Sequence, residues 1–216
     1  MKVCTDSCIF GAWTSSKIKN AKNILDIGSG TGLLSLMLAQ NSSANIDGVE
    51  LDTESFFQAI ENINDSLWSD RIHIVEGDAR YILFKNKYDF IICNPPFFES
   101  DLQSPDIKKN KSKHDVSFML EDLIKIVRNN LNTNGVFSVL LPYHRTDYFE
   151  RLATANGFFL QEKLILRQTP RHDPFRTACL FGYKKQEEIM IEELTIKNAD
   201  DKNSSVYEIL MKDYYL

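Results

Sequence analysis

Three glycines spaced two residues apart, in DIGSGTG (26–32), stand between the β-rich run KNILDI (22–27) and the helical-period segment GLLSLMLAQ. Gly28, Gly30 and Gly32 permit a tight turn and a close backbone approach, and the helix behind them presents unpaired N–H groups at its start. The rest of the chain repeats this change from strand to helix. NIDGVE (45–50), RIHIVE (71–76), YDFIIC (88–93) and GVFSVLL (135–141) are short, β-rich and bounded by Gly, Asn or Asp. Between them, TESFFQAIENINDSLW, SFMLEDLIKIVRNNL and DYFERLATANG carry apolar residues three and four apart, the helical period. This alternation predicts an α/β fold, a doubly wound and mostly parallel sheet with helices on both faces. FFLQEKLILRQ and RTACLFGYKK read as two further strands, and EEIMIEELTIKN and VYEILMKDYYL as a strand and a terminal helix on the sheet edge. SPDIKKNKSKHD (104–115) reads as a long exposed loop.

Composition enters where it bounds this picture. A chain of 216 residues, 43% hydrophobic and 25% charged, buries one substantial core, so residues 1–216 are expected to form a single domain. Its formal net charge of -5 excludes a generally basic DNA-coating protein and confines any nucleic-acid contact to a local patch. No stretch approaches the roughly 18 apolar residues of a membrane span. MKVCTDSCIF lacks the apolar core of a secretory signal, and a cytoplasmic location without membrane contact is expected. Cys4, Cys8, Cys93 and Cys179 show no CxxC spacing, so neither a metal site nor a disulfide framework is expected.

The glycine turn begins a binding site. A dinucleotide fingerprint is G-x-G-x-x-G, whereas here the third glycine comes one residue early and Leu33 follows it, which counts against a pyrophosphate cradle. At the end of the second strand, Glu50 in GVELD is positioned to accept both hydroxyls of a ribose. At the end of the third, Asp78 in EGDAR is positioned to accept a hydrogen bond from an adenine amine. A glycine turn, a strand-end Glu or a turn Asp is by itself often structural; the three in this order describe an adenosine-shaped ligand.

That order resembles the class I S-adenosylmethionine-dependent methyltransferases, with a seven-stranded Rossmann-like sheet. The resemblance implies S-adenosylmethionine as cofactor, with Asp26 and the backbone of Gly28 and Gly30 beside its methionine part. It also assigns Glu50 to the ribose, Asp78 and Ala79 to the adenine, and Lys2, Thr5, Leu51 and Asn94 to the same site. CNPPFFES (93–100) then lies at the end of the fourth strand, where the sulfonium methyl of such a cofactor points. Two prolines end a strand with their carbonyls free and their φ fixed.

NPPFF resembles the Asn-Pro-Pro-Tyr/Phe motif of amino-methyltransferases that act on adenine N6 or glutamine N5. The nitrogen of an aromatic amine is a poor nucleophile because its lone pair is delocalised into the ring. If the side-chain oxygen of Asn94 and the carbonyl of Pro95 each accept one amine hydrogen, they aim the nitrogen for in-line attack and stabilise its developing charge. Pro96 adds rigidity, and Phe97 offers a stacking face for a flipped base but lacks the phenolic hydroxyl that many members carry.

MKVCTDSCIFGAW (1–13), the glycine loop, NPPFF, the basic KSKHD and the ending YxxxLMKDYYL together resemble the bacterial tRNA(Val) adenine-37 N6-methyltransferases along essentially the whole chain. Cys4 and Cys8 stand where small residues are common in that family. Its members usually carry a further upstream segment with aromatic and basic residues, so Met1 is expected to be an internal start or an artificial boundary, with the missing segment part of the RNA-binding surface. The resemblance implies a tRNA substrate, the adenosine after the anticodon of tRNA(Val), and a monomer is expected. Lys108, Lys109, Lys111, Lys113 and His114 follow NPPFFES closely and are expected to meet the phosphate backbone at the pocket mouth, against the alternative of a solvated lysine loop. An N6-adenine methyltransferase acting on rRNA or DNA is a related alternative. A protein-glutamine N5-methyltransferase shares the NPP chemistry, but it is expected to carry a helical recognition domain, for which the 25 residues before Asp26 leave no room. A non-catalytic nucleotide-binding module needs none of Asn94, Pro95 and Phe97 in this order.

Overall fold

Strands that carry apolar side chains on both faces must be covered on both faces. That is the arrangement in the computed structural model, which describes residues 4–95 and 120–214. Eight strands form one sheet: β1 (Asn23–Ile27), β2 (Asn45–Glu50), β3 (Ile72–Glu76), β4 (Tyr88–Cys93), β5 (Leu131–Pro142), β6 (Phe159–Arg167), β7 (Arg176–Gly182) and β8 (Met190–Thr195). Their order is β3-β2-β1-β4-β5-β7-β6-β8. The first five are parallel, β7 runs antiparallel between β5 and β6, and β8 pairs parallel with β6. The seven expected core strands are present, and the eighth is the edge strand read from EEIMIEELTIKN. β5 begins earlier than GVFSVLL indicated, because Leu131 pairs with Tyr88 before an irregularity restores the register at Phe90 and Val136.

Side-chain alternation divides the core in two. Ile24 of β1 and Phe90 and Ile92 of β4 face a layer that includes α1 (Thr5–Ser15), α2 (Leu33–Gln40), α3 (Thr53–Asn64) and the later helix Ser205–Met211. Leu25 and Ile27 of β1 and Ile91 and Cys93 of β4 face the opposite layer, α4 (Leu120–Asn130) and α5 (Thr146–Ala155). We number the C-terminal helix α6. Phe137, Phe149, Phe158 and Phe181 meet in that second layer, with Phe137 stacked on Phe181 at 5.1 Å and edge-on to Phe158 at 5.1 Å. The fold is therefore the α/β, Rossmann-like doubly wound type.

Helix α1 was not legible in the sequence. Every residue from Cys8 to Ser15 is buried, so TDSCIFGAWTS shows no polar face from which a helical period emerges. Gly11 lets α1 approach α2 closely: a Cβ there would lie 2.5 Å from Met37 Sδ.

Candidate active site

In this strand order the chain reverses direction across the sheet between β1 and β4, which opens a crevice beyond their carboxyl ends. Ile27, the last residue of β1, is in register with Cys93, the last of β4, so the glycine turn and Asn94 emerge side by side.

On the β1 side, Gly28, Gly30 and Gly32 have φ of 72°, 56° and 83°, a region that residues with a Cβ seldom occupy. The N–H groups of Gly28 and Ser29 donate to the Val49 carbonyl at 2.9 and 3.0 Å, which ties the turn to the end of β2. A Cβ at Gly28 would meet nothing within 4 Å, so this glycine borders open space and not a packed neighbour. Glu50 accepts from the Gly30 N–H at 2.7 Å through Oε2 and from the Asp52 N–H at 2.8 Å through Oε1. Its carboxylate is thus fixed in direction between the glycine turn and the start of α3.

Beneath the turn, Asp26 is fully buried. Its Oδ2 accepts from Ser35 Oγ at 2.7 Å, while Oδ1 is buried without a partner. Burial pushes its pKa up to about 7; the Ser35 hydrogen bond opposes that shift and the nearby Glu50 charge adds to it. A buried carboxyl with one oxygen orphaned is an uncommon and costly arrangement, and a cationic or hydrogen-bonding ligand group relieves it. The methionine ammonium of S-adenosylmethionine is such a group, so the residues present fit the cofactor.

At the end of β3, Gly77 donates to the Glu50 carbonyl at 2.8 Å and brings Asp78 and Ala79 to the same edge. Asp78 accepts from Arg80 through Nε, Nη2 and the backbone N–H, at 3.0, 2.6 and 2.9 Å. Those Arg80 hydrogen bonds hold its carboxyl below the usual range. An adenine amine that reaches Asp78 must therefore share an acceptor already held by Arg80. EGDAR places Arg80 two residues after Asp78, a spacing visible in the sequence. Leu51 is 54% exposed at this rim, an apolar surface of the kind a base ring covers.

On the β4 side, Pro95 is buried and Asn94 half-buried. Asn94 Nδ2 donates to Ser7 Oγ of α1 at 2.9 Å. One residue earlier, Asp6 Oδ2 accepts from Arg176 Nε at 3.0 Å, which ties the same turn of α1 to β7. Thr5 is exposed in that first turn. Sequence reasoning missed Ser7 and Arg176 because no local pattern links them to a strand end far away in the chain. Lys2, Pro96, Phe97, Lys108, Lys109, Lys111, Lys113 and His114 lie outside the described residues.

Among the described residues, no three His, Cys, Asp or Glu side chains gather as a metal site, and no helix is long and apolar enough to cross a membrane. No disulfide joins the cysteines among the described residues; Cys4 is exposed, and Cys8, Cys93 and Cys179 are buried.

The family described as methyltransferase small domain matches residues 14–157. A tRNA1(Val) (adenine(37)-N6)-methyltransferase of Bacteroides fragilis strain YCH46 is 39% identical over 219 residues, spanning 100% of this chain and 91% of that protein. One of Dyadobacter fermentans is 43% identical over 182 residues, spanning 84% and 75%. Among solved structures, "a predicted O-methyltransferase, protein Atu636" from Agrobacterium tumefaciens superposes with a TM-score of 0.69 at 15% identity, covering 95% of each chain. The glycopeptide N-methyltransferase MtfA, complexed with S-adenosylmethionine, gives 0.61 at 11% identity, covering 83% of this chain and 95% of that one. These structural likenesses show the fold.

Proposed function

Because the chain belongs to the methyltransferase small domain family and, within it, to the tRNA1(Val) (adenine(37)-N6)-methyltransferases, we propose that it methylates N6 of adenosine 37 in the anticodon loop of tRNA(Val). S-adenosylmethionine supplies an electrophilic methyl group when bound. The observation that carries the reading is the emergence of Asn94 beside the glycine turn, above a buried Asp26 with an orphaned oxygen.

In this reading Asp26 Oδ1 receives the cofactor ammonium, and Glu50, held by two backbone N–H groups, keeps its remaining lone pairs for the ribose hydroxyls. Leu51 and Ala79 border the adenine, with Asp78 as acceptor at its edge. On the substrate side, Asn94 Oδ1 and the Pro95 carbonyl each accept one hydrogen of the adenine amine. They turn its lone pair toward the methyl group and stabilise the positive charge that grows on nitrogen. Neither a general base nor a metal is required before the methyl group transfers, because that charge is met by oriented dipoles. Phe97 is assigned the stacking face and Pro96 the rigidity of the bracket; Lys2 and Thr5 are assigned to the cofactor. Lys108, Lys109, Lys111, Lys113 and His114 are assigned to the phosphate backbone. An unpaired loop base costs little to flip, which favours an anticodon loop over a duplex. The reading takes residues 1–216 as one catalytic domain acting as a monomer, and the single continuous sheet supports the first part.

The test is methyl transfer to total RNA from cells lacking the modification, followed by nucleoside mass spectrometry and mapping. The expected product is N6-methyladenosine at position 37 of tRNA(Val). Product confined to rRNA, or absent from RNA altogether, overturns the assignment.

A further inference from the structure

A carboxamide has two ends that differ by one charge sense: its oxygen accepts and its nitrogen donates. The adenine amine offers hydrogens, so Asn94 helps only with its oxygen forward. Rotation by half a turn would present two N–H donors to another donor, and the contact would become repulsive. Asn94 is the first residue beyond β4, where no ladder partner restrains its side chain. Its side-chain orientation must come from elsewhere.

We infer that Ser7 is a positioning residue for methyl transfer: its hydroxyl oxygen captures Asn94 Nδ2 at 2.9 Å and thereby turns Asn94 Oδ1 toward the substrate amine. The inference rests on the catalytic reading of Asn94 given above. Three observations support it. Among the described residues Asn94 Oδ1 makes no hydrogen bond, whereas its Nδ2 is anchored on Ser7 Oγ. The anchor is itself held, because Asp6 is ion-paired with Arg176 and α1 continues into a fully buried run from Cys8 to Ser15. Finally, Ser7 is not spent on starting the helix: Cys4 stands at the N-cap position, and the Ser7 backbone N–H donates to Asp6 Oδ1 at 2.9 Å. A hydrogen bond to the amide nitrogen also draws electron density onto the amide oxygen, the cooperative strengthening expected of linked hydrogen bonds.

The test is a double-mutant cycle read by single-turnover methylation of tRNA. Ser7→Ala keeps the helix and removes only the hydroxyl. It is expected to lower the rate of methyl transfer roughly three- to tenfold, as for one lost hydrogen bond, with cofactor affinity and tRNA KM held. Ser7→Thr, which restores the hydroxyl, is expected to recover the rate. In an Asn94→Ala background, Ser7→Ala is expected to have no further effect, because the group it orients is gone. Equal losses on both backgrounds, or a Ser7→Ala loss confined to KM, overturn the Ser7 assignment while leaving Asn94 in place. Near-normal single-turnover rates in Asn94→Ala itself overturn the catalytic reading, and the Ser7 assignment with it.

Discussion

Asp26 and Glu50 show what a strand-end carboxylate becomes once its surroundings are known. Asp26 titrates near 7 because burial disfavours its charge. Between its unfolded pKa near 4 and about 7, the folded chain holds a proton that the unfolded chain has released, so this residue's contribution to stability falls as pH rises through that window. If the ionised form receives the cofactor ammonium, affinity moves the other way: it is expected to fall by up to about tenfold per unit as pH drops below 7. Calorimetry across this range checks the slope, and Asp26→Asn is expected to bind more weakly and to flatten it. Glu50→Ala removes a charged acceptor for the ribose and is expected to cost about 1.5 to 3 kcal/mol, or roughly ten- to a hundredfold in cofactor affinity. Part of that loss belongs to the turn, because Gly30 and Asp52 also lose their acceptor. Asn94→Ala is expected to reduce single-turnover methylation at least about a hundredfold, the scale of a lost preorganised contact, with cofactor affinity unchanged. The positions of these three residues were legible because each lies at or just beyond the carboxyl end of a short β-rich run. Their side-chain partners were not, since Ser35 reaches Asp26 and Ser7 reaches Asn94 through side-chain directions that no periodicity encodes.

At the scale of elements, β1 and β4 announced themselves as short runs buried on both faces. β2 and β3 were bounded within a residue by turn-forming neighbours. Helix α1 escaped for the opposite reason: burial on all sides leaves a helix without a polar face. Its contact with α2 depends on Gly11, where a larger side chain must displace Met37 and Leu34. Gly11→Val is expected to destabilise the fold by about 1 to 3 kcal/mol through overpacking, seen as a lower denaturation midpoint with an unchanged slope. It should also slow methyl transfer, since Ser7 rides on the same helix.

For the whole molecule, the aromatic cluster in the α4 and α5 layer joins β5, β7 and the segment before β6. Phe137→Ala leaves a hole against three rings and is expected to cost about 3 to 5 kcal/mol, measured as loss of thermal stability. The position of β7 between β5 and β6 has a further effect, felt while the protein is being made. Synthesis runs in chain order, but β6 emerges before the strand that joins it to the rest of the sheet. Until Gly182 has left the ribosome, β5 displays an open edge and β6 has no neighbour, the state most prone to strand pairing between chains. A stalled or prematurely ended product that stops at residue 175 should therefore accumulate as aggregate or chaperone client, although it contains the glycine turn, Glu50, Asp78 and Asn94 intact.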